Sequence, residues 1–207
     1  YAIAVSLGAN PNYDVTPIDG ALAIDAKAAS VTANNKTRTY GDENPAFDAT
    51  VVGEVAGGDA VSYTLSTTAT QFSGVAGSPY AIAVSLGSNP NYTVTPVDGA
   101  LAIDPKAATV TANNKTKTYG DENPVFDATV AGEVAGGDAV NYTLSTTATQ
   151  YSSVGNNAYE IEVNLGANPN YNVTPVDGAL ATDAKAATVT ANNKTKSYGD
   201  QNPAFDA

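Results

Sequence analysis

The chain has 207 residues, no cysteine, no histidine and a formal charge of −12. That excludes disulfides, thiolate metal sites and the commonest catalytic base, and opposes binding to the phosphate backbone of nucleic acids. Apolar residues make up 43% and charged residues 14%, enough to fill modest cores and too few charges for a disordered tail. No apolar run is long enough to cross a bilayer as a helix, so no membrane insertion is expected.

The chain repeats itself. Tyr1, Tyr80 and Tyr159 are 79 residues apart, as are Tyr40, Tyr119 and Tyr198, with no insertion or deletion between them. Residues 1–25 match 80–104 and read as the C-terminal part of a repeat. Residues 26–104 and 105–183 are two full repeats, and 184–207 match 26–49, the N-terminal part of a fourth. Two partial units around two whole ones, with no Met at position 1, read as a window on a longer tandem array. Neither fragment has a counterpart of residues 50–79, so the two together would not complete a module. A unit of this length is too long for a solenoid coil and long enough for a small self-folding domain.

Within the repeat, residues 29–33 (Ala-Ser-Val-Thr-Ala) read as a strand, and Asn34-Asn35 as a turn, because Asn tolerates positive φ. Residues 36–40 alternate again, and Gly41-Asp-Glu-Asn-Pro45 breaks the pattern. A third strand is expected over 47–52, then a loop over 53–59 with the one candidate helical turn near 54–60. Residues 60–70 supply one long strand or two joined by a bend, and 73–79 form a loop. Tyr80-Ala-Ile-Ala-Val-Ser-Leu86 has a large apolar residue at every second position, the period of a strand with one buried face. In the third copy the intervening residues become Glu160, Glu162 and Asn164, so that side faces water, since unpaired buried charge is very costly. Residues 92–96 are expected to pair back on this strand, Asp98-Gly99 to form a tight hairpin turn, and 100–104 to close the unit.

Six to eight short strands with frequent turn signals predict an all-β fold, a tandem of small Ig-like β-sandwich modules joined end to end, with a β-grasp-like module as the alternative. The two whole repeats differ at 18 positions, clustered at 74–79 against 153–158, which marks a loop tip. Ala46/Val125 and Val52/Ala131 change size in opposite directions, as two residues facing one pocket would. At the junction Asp104-Pro105-Lys106 there is no Gly/Ser tether, and Pro105 stiffens the connection. Lys27, Lys36 and Arg38 open the repeat and its acids follow. That places opposite charge at different ends or edges and would favour one orientation of neighbouring repeats.

The run from Ala108 through Val110, Asn113-Asn114 and Tyr119-Gly120-Asp121 to Pro124, then Leu144 to Thr149, then Asn170-Tyr171 through Asp177-Gly178 to Leu180 resembles the MBG repeat family, YGX-type tandem domains of large bacterial surface and secreted adhesin-like proteins. The resemblance covers essentially the whole chain. It implies an extracellular, cell-surface location and a β-rich module used as a spacer or stalk, and it supplies no catalytic residues.

The residues themselves offer little chemistry. Without histidine no Ser-His-Asp triad can be built, no Gly-rich phosphate loop opens a helix, and no enzyme activity or cofactor is expected. Calcium is the one metal with plausible ligands: Asp42, Glu43 and Asp98, with neighbouring carbonyls, supply hard oxygens. Tyr92 and its counterpart Tyr171 are the best exposed candidates for stacking on a sugar, with core or corner packing as the alternative. Tyr80 and Tyr63 read as core. Lys27 or Lys106 could donate to an isopeptide cross-link if a buried acid lay beside it. Ala81, Ala83 and Ser85 form a smooth face suited to lateral packing between chains. The expected partners are neighbouring repeats of the same chain; other copies in a filament, or a glycan or host surface, are the alternatives.

Overall fold

A computed structural model describes residues 1–155 and 158–207. The chain divides into two compact units, Tyr1–Pro105 and Lys106–Ala207. In the first, β1 (Ala2–Ile3) and β2 (Gly20–Ala21) belong to the leading partial repeat. The whole repeat contains β3 (Lys27–Ala33), β4 (Lys36–Thr39), β5 (Ala49–Val52), β6 (Tyr63–Ser66), β7 (Tyr80–Leu86), β8 (Tyr92–Val97) and β9 (Gly99–Asp104). The second unit repeats these seven strands as β10 (Lys106–Ala112), β11 (Lys115–Thr118), β12 (Ala128–Ala131), β13 (Tyr142–Ser145), β14 (Tyr159–Leu165), β15 (Tyr171–Val176) and β16 (Gly178–Asp183). The fold is all-β, and among the described residues the one helical element is a single 3-10 turn, Val75–Gly77. It falls in the loop before β7. Near Glu54 there is only a reverse turn, closed by the Gly58 N–H donating to the Val55 carbonyl.

Each whole repeat builds two sheets, ordered β5-β3-β8 and β4-β9-β7-β6 in the first unit and β12-β10-β15 and β11-β16-β14-β13 in the second. Period-two patterning decides what lies between them. β3 turns Ala29, Val31 and Ala33 inward, and β9 does the same with Leu101 and Ile103. Ala29, Val31, Val61 and Tyr92 form one buried cluster; Ala33, Ala69, Ile82 and Leu101 form the other. Val84 packs against both. In β14 Ile161 and Val163 are buried while Glu160, Glu162 and Asn164 are exposed, so the third copy does mark the wet side of this strand.

The pairing of the strands departs from the hairpins expected. β8 does not pair back on β7. It pairs in parallel with β3, from Lys27↔Tyr92 to Thr32↔Val97, and β9 pairs in parallel with β4, from Lys36↔Leu101 to Thr39↔Asp104. Every one of these pairs is 65 residues apart. β3–β4 and β8–β9 are therefore two long strands lying side by side, and both leave one sheet for the other at the same level. Strands that change sheet at a bend make the corner of such a fold. Asn34-Asn35 and Asp98-Gly99 are that corner, and neither is a hairpin turn.

Polar side chains hold the corner. Among the described residues none other than glycine has positive φ, so Asn34 and Asn35 serve through hydrogen bonds instead. Asn34 Nδ2 donates to Asp48 Oδ1 at 2.9 Å, tying the corner to the loop before β5. Asn35 Oδ1 accepts from the Ala100 N–H at 2.8 Å, and Asp98 Oδ1 accepts from the Val84 N–H at 2.8 Å. Lys36 Nζ lies 2.9 Å from Asp48. Its hydrogen bond, joined by that of Asn34, holds the Asp48 carboxyl below the usual carboxylate range. The second unit repeats the scheme with Asn114 to Ala179 and Asp177 to Val163.

The partial repeat at 1–25 is an internal control. β1 and β2 keep the register of β7 and β9, with Ile3↔Gly20 matching Ile82↔Gly99, and Asp19 bonds the Val5 N–H as Asp98 bonds Val84. Yet Ile3 is 54% exposed where Ile82 is 0%. The β7–β9 pairing is local in origin; its burial requires the first half of the repeat. The expected volume compensation between positions 46 and 52 is not found: Ala46, Val125, Val52 and Ala131 are all exposed. At the loop tip, residues 156 and 157 lie outside the described residues.

Gly99 sits where the two long strands bend together. A Cβ there would lie 2.6 Å from the Ala33 carbonyl oxygen, and one at Gly178 would lie 2.6 Å from that of Ala112. Backbone on both sides leaves no flexible group to yield. Gly99→Ala should destabilise the first unit by about 2 kcal/mol or more. Gly8→Ala, with nothing within 4 Å, should be near neutral; urea denaturation of the full chain checks both.

Candidate functional site

The end of the long strand pair, where β4 and β9 finish together, concentrates the polar side chains of the repeat. The Tyr40 N–H donates to the Asp104 carbonyl at 2.9 Å, extending the parallel ladder one step. Gly41 then turns with φ of 86°, a conformation that disfavours any side chain, and the Asp42 N–H closes the turn onto the Thr39 carbonyl. Gln71 Nε2 reaches across to the Gly41 carbonyl at 2.7 Å. On β9, the Ile103 N–H donates to Ser78 Oγ. Loops from three parts of the repeat thus converge on the residues just before the junction.

Arg38 organises this end. Alternation along β4 turns its side chain inward, and it is buried. Its guanidinium donates Nε to Asn44 Oδ1 at 2.9 Å and Nη2 to the Thr70 carbonyl at 2.5 Å, while Nη1 reaches the Thr39 and Gln71 carbonyls. Asn44 Nδ2 in turn donates to the Ala69 carbonyl. A buried cation is tolerable when hydrogen-bonded on every side. The planar fork of arginine gives it enough donors to pin residues 69–71 and the 41–45 turn at once. The charge pattern of the sequence placed Arg38 among surface cations. Its position two residues before Tyr40 on an alternating strand was the signal that it faces inward.

In the second unit Lys117 stands in this place, donating to the Thr149 carbonyl and to that of Asp121. It has no equivalent of the Arg38 Nε bond, and Asn123 Oδ1 is left buried without a partner. A second orphan lies on the neighbouring strand: Thr182, paired with Lys117, replaces Ile103, and its hydroxyl is also buried without a partner.

Tyr92 and Tyr171 do not offer a ring face to a ligand. They are 7% and 6% exposed, and core packing accounts for their rings. The Tyr92 hydroxyl donates to the Asp59 carbonyl at 2.8 Å and accepts from the Val55 N–H at 3.1 Å, and Tyr171 does the same for Asp138 and Val134. Each is a strut that holds the loop after β5 or β12. Tyr80 is partly buried and bonds the Gly74 carbonyl; Tyr63 packs at the edge of the first cluster.

The acidic candidates are dispersed. Asp42 and Glu43 are exposed in the turn after β4, whereas Asp98 is at the corner with one oxygen bound to Val84, the length of β4 away. Among the described residues no three or more acidic side chains are placed to hold a metal ion together. Beside β3 and β5 lies a shallow depression of about 280 Å³ lined by Ala28, Ala29, Ser30, Val52 and Gly53, with no titratable group among its walls. Ala81 and Ser85 are exposed and Ala83 half-buried on β7. The matching face of β14 is acidic: the Glu160 carboxyl is raised above its ordinary value by a hydrogen bond to Asp177 and by repulsion from Asp177 and Glu162. At the junction, β9 ends at Asp104 and β10 begins at Lys106, with Pro105 alone between them. Lys185, which opens the last partial repeat, lies 4.0 Å from Asp121.

A family model for the MBG domain (YGX type) matches residues 29–102 and 108–181, more than half of the chain. The chain belongs to this family. No curated protein is significantly similar to it. The two matches in tandem mark an adhesin-like repeat region, and MBG repeats are not a known enzymatic family. No helix among the described residues is long and apolar enough to cross a membrane. The Tyr-Gly-x of the MBG description corresponds to Tyr40-Gly41-Asp42 and Tyr119-Gly120-Asp121, the turn that ends the long strand pair.

The two MBG repeats should differ in stability because of their orphaned polar atoms. Lys117→Arg, which restores a donor to Asn123 Oδ1, should stabilise the second unit by about 1 kcal/mol. Thr182→Ile, which removes the orphaned hydroxyl, should add a similar amount. Denaturant titration followed by NMR signals of each unit separately checks this; the first unit's midpoint should not move.

Proposed function

We propose that the chain is a stretch of stalk in an extracellular, adhesin-like bacterial protein, and that its repeats act as spacers. One observation carries this reading. Because the first and last strands of the repeat run parallel, the chain enters the module beside Tyr92 and leaves it at Asp104, at the opposite end of the ladder. An antiparallel arrangement of the same strands would bring the two ends together. Each repeat therefore advances the chain by its own length. A single residue, Pro105, separates the last strand of one repeat from the first strand of the next.

Membership of the MBG family supports the extracellular setting, and an acidic, cysteine-free chain suits it. Electron microscopy of the full chain tests the proposal. Extended single particles one domain wide are expected. Compact particles contradict a spacer, and multi-chain fibres would favour the lateral-packing role of Ala81, Ala83 and Ser85 instead.

A further inference from the structure

The long strand pair has a consequence for force. Tension along the chain pulls β3–β4 at the Lys27 end and β8–β9 at the Asp104 end. The two strands lie side by side over the whole ladder, from the Lys27 N–H on the Asn91 carbonyl to the Tyr40 N–H on the Asp104 carbonyl. Opposed pulls at opposite ends of a parallel pair act along the strands, so the rungs are loaded together and cannot be opened one after another. A single backbone hydrogen bond is worth only about 1 kcal/mol net; breaking a ladder of them in one event is a different barrier, and forced unfolding is governed by that barrier.

Two further features resist sliding. At the corner the Ala33 carbonyl nests against Gly99, where a Cβ would lie 2.6 Å from the oxygen. A slip of one residue in either direction would bring Asp98 or Ala100 into that position, each with a Cβ that does not fit. β3 and β9 are also interior strands: β5 flanks β3 on its other side, and β7 flanks β9. Neither can peel away as a free edge. The second unit repeats the arrangement, with Lys106 on Asn170, Tyr119 on Asp183 and Gly178 against Ala112.

We propose that each repeat is a mechanical clamp, a domain whose first and last strands form a shear-loaded ladder that holds the chain folded under tension. The clamp's use rests on the stalk reading, but its existence does not. Microscopy can reject the stalk while pulling supports the clamp, and the reverse.

The absence of cysteine allows force to be applied between chosen residues. In the full chain, handles are attached through Lys27→Cys and Asp104→Cys in one variant, at opposite ends of the ladder. In another they are attached through Lys27→Cys and Thr93→Cys, at the same end. Lys27, Thr93 and Asp104 are all exposed, and Thr93 is already Asn172 in the other repeat. Optical or atomic-force pulling should find an unfolding force several-fold higher for the first pair than for the second. Equal forces, or a lower force for the first pair, would overturn the proposal. The same comparison in the second unit, Lys106→Cys with Asp183→Cys against Lys106→Cys with Asn172→Cys, gives an independent reading if either first-unit variant folds poorly.

Discussion

The parallel union of the first and last strands is the constraint on which each repeat depends. Parallel partners cannot be joined by a short turn, so the chain must make a long excursion between them, and residues 41–91 are that excursion. β5 closes one flank of the pair and β6–β7 the other. The two buried clusters lie on either side of the corner where both long strands change sheet. A 79-residue unit has a limited core, and interlocking its sheets through two shared strands lets small residues such as Ala29, Ala33 and Ala69 complete it.

Polar side chains in this fold serve the backbone. Asn34, Asn35, Asp48 and Asp98 hold the corner; Arg38, Asn44 and Gln71 hold the end of the ladder; Tyr92 holds the loop after β5. Loops running over a surface need such partners for their donors and acceptors. This explains why a chain rich in Asn, Asp, Ser and Thr gathers no convergent constellation for catalysis or metal binding among its described residues. In the proposed stalk role, function follows from where the chain enters and leaves, more than from any one side chain.

Much of this was legible beforehand. The repeat, the all-β class and the wet face of the Tyr80 and Tyr159 strands followed from spacing and from Glu160 and Glu162. What escaped was non-local. Asn34-Asn35 and Asp98-Gly99 have the composition of hairpin turns, and nothing near them announces that their flanking strands pair with partners 65 residues away. Arg38 read as a surface charge because burial of a cation depends on carbonyls from Thr70 and Gln71, distant in the chain. Tyr92 followed a Pro-Asn turn, and only the Asp59 loop packing over it removes it from solvent. The paired size changes at 46 and 52 suggested a shared pocket, but Val52 faces outward from β5 and Ala46 is exposed in the loop ahead of it.

Native-state hydrogen exchange on the full chain is the most direct test of the strand pair as the scaffold of the repeat. Amides hydrogen-bonded between β3 and β8 and between β4 and β9, with their counterparts in the second unit, should exchange last within their units, through global unfolding alone. Slowest exchange confined to the antiparallel β6–β7 hairpin, with the parallel ladder opening earlier, would contradict the account.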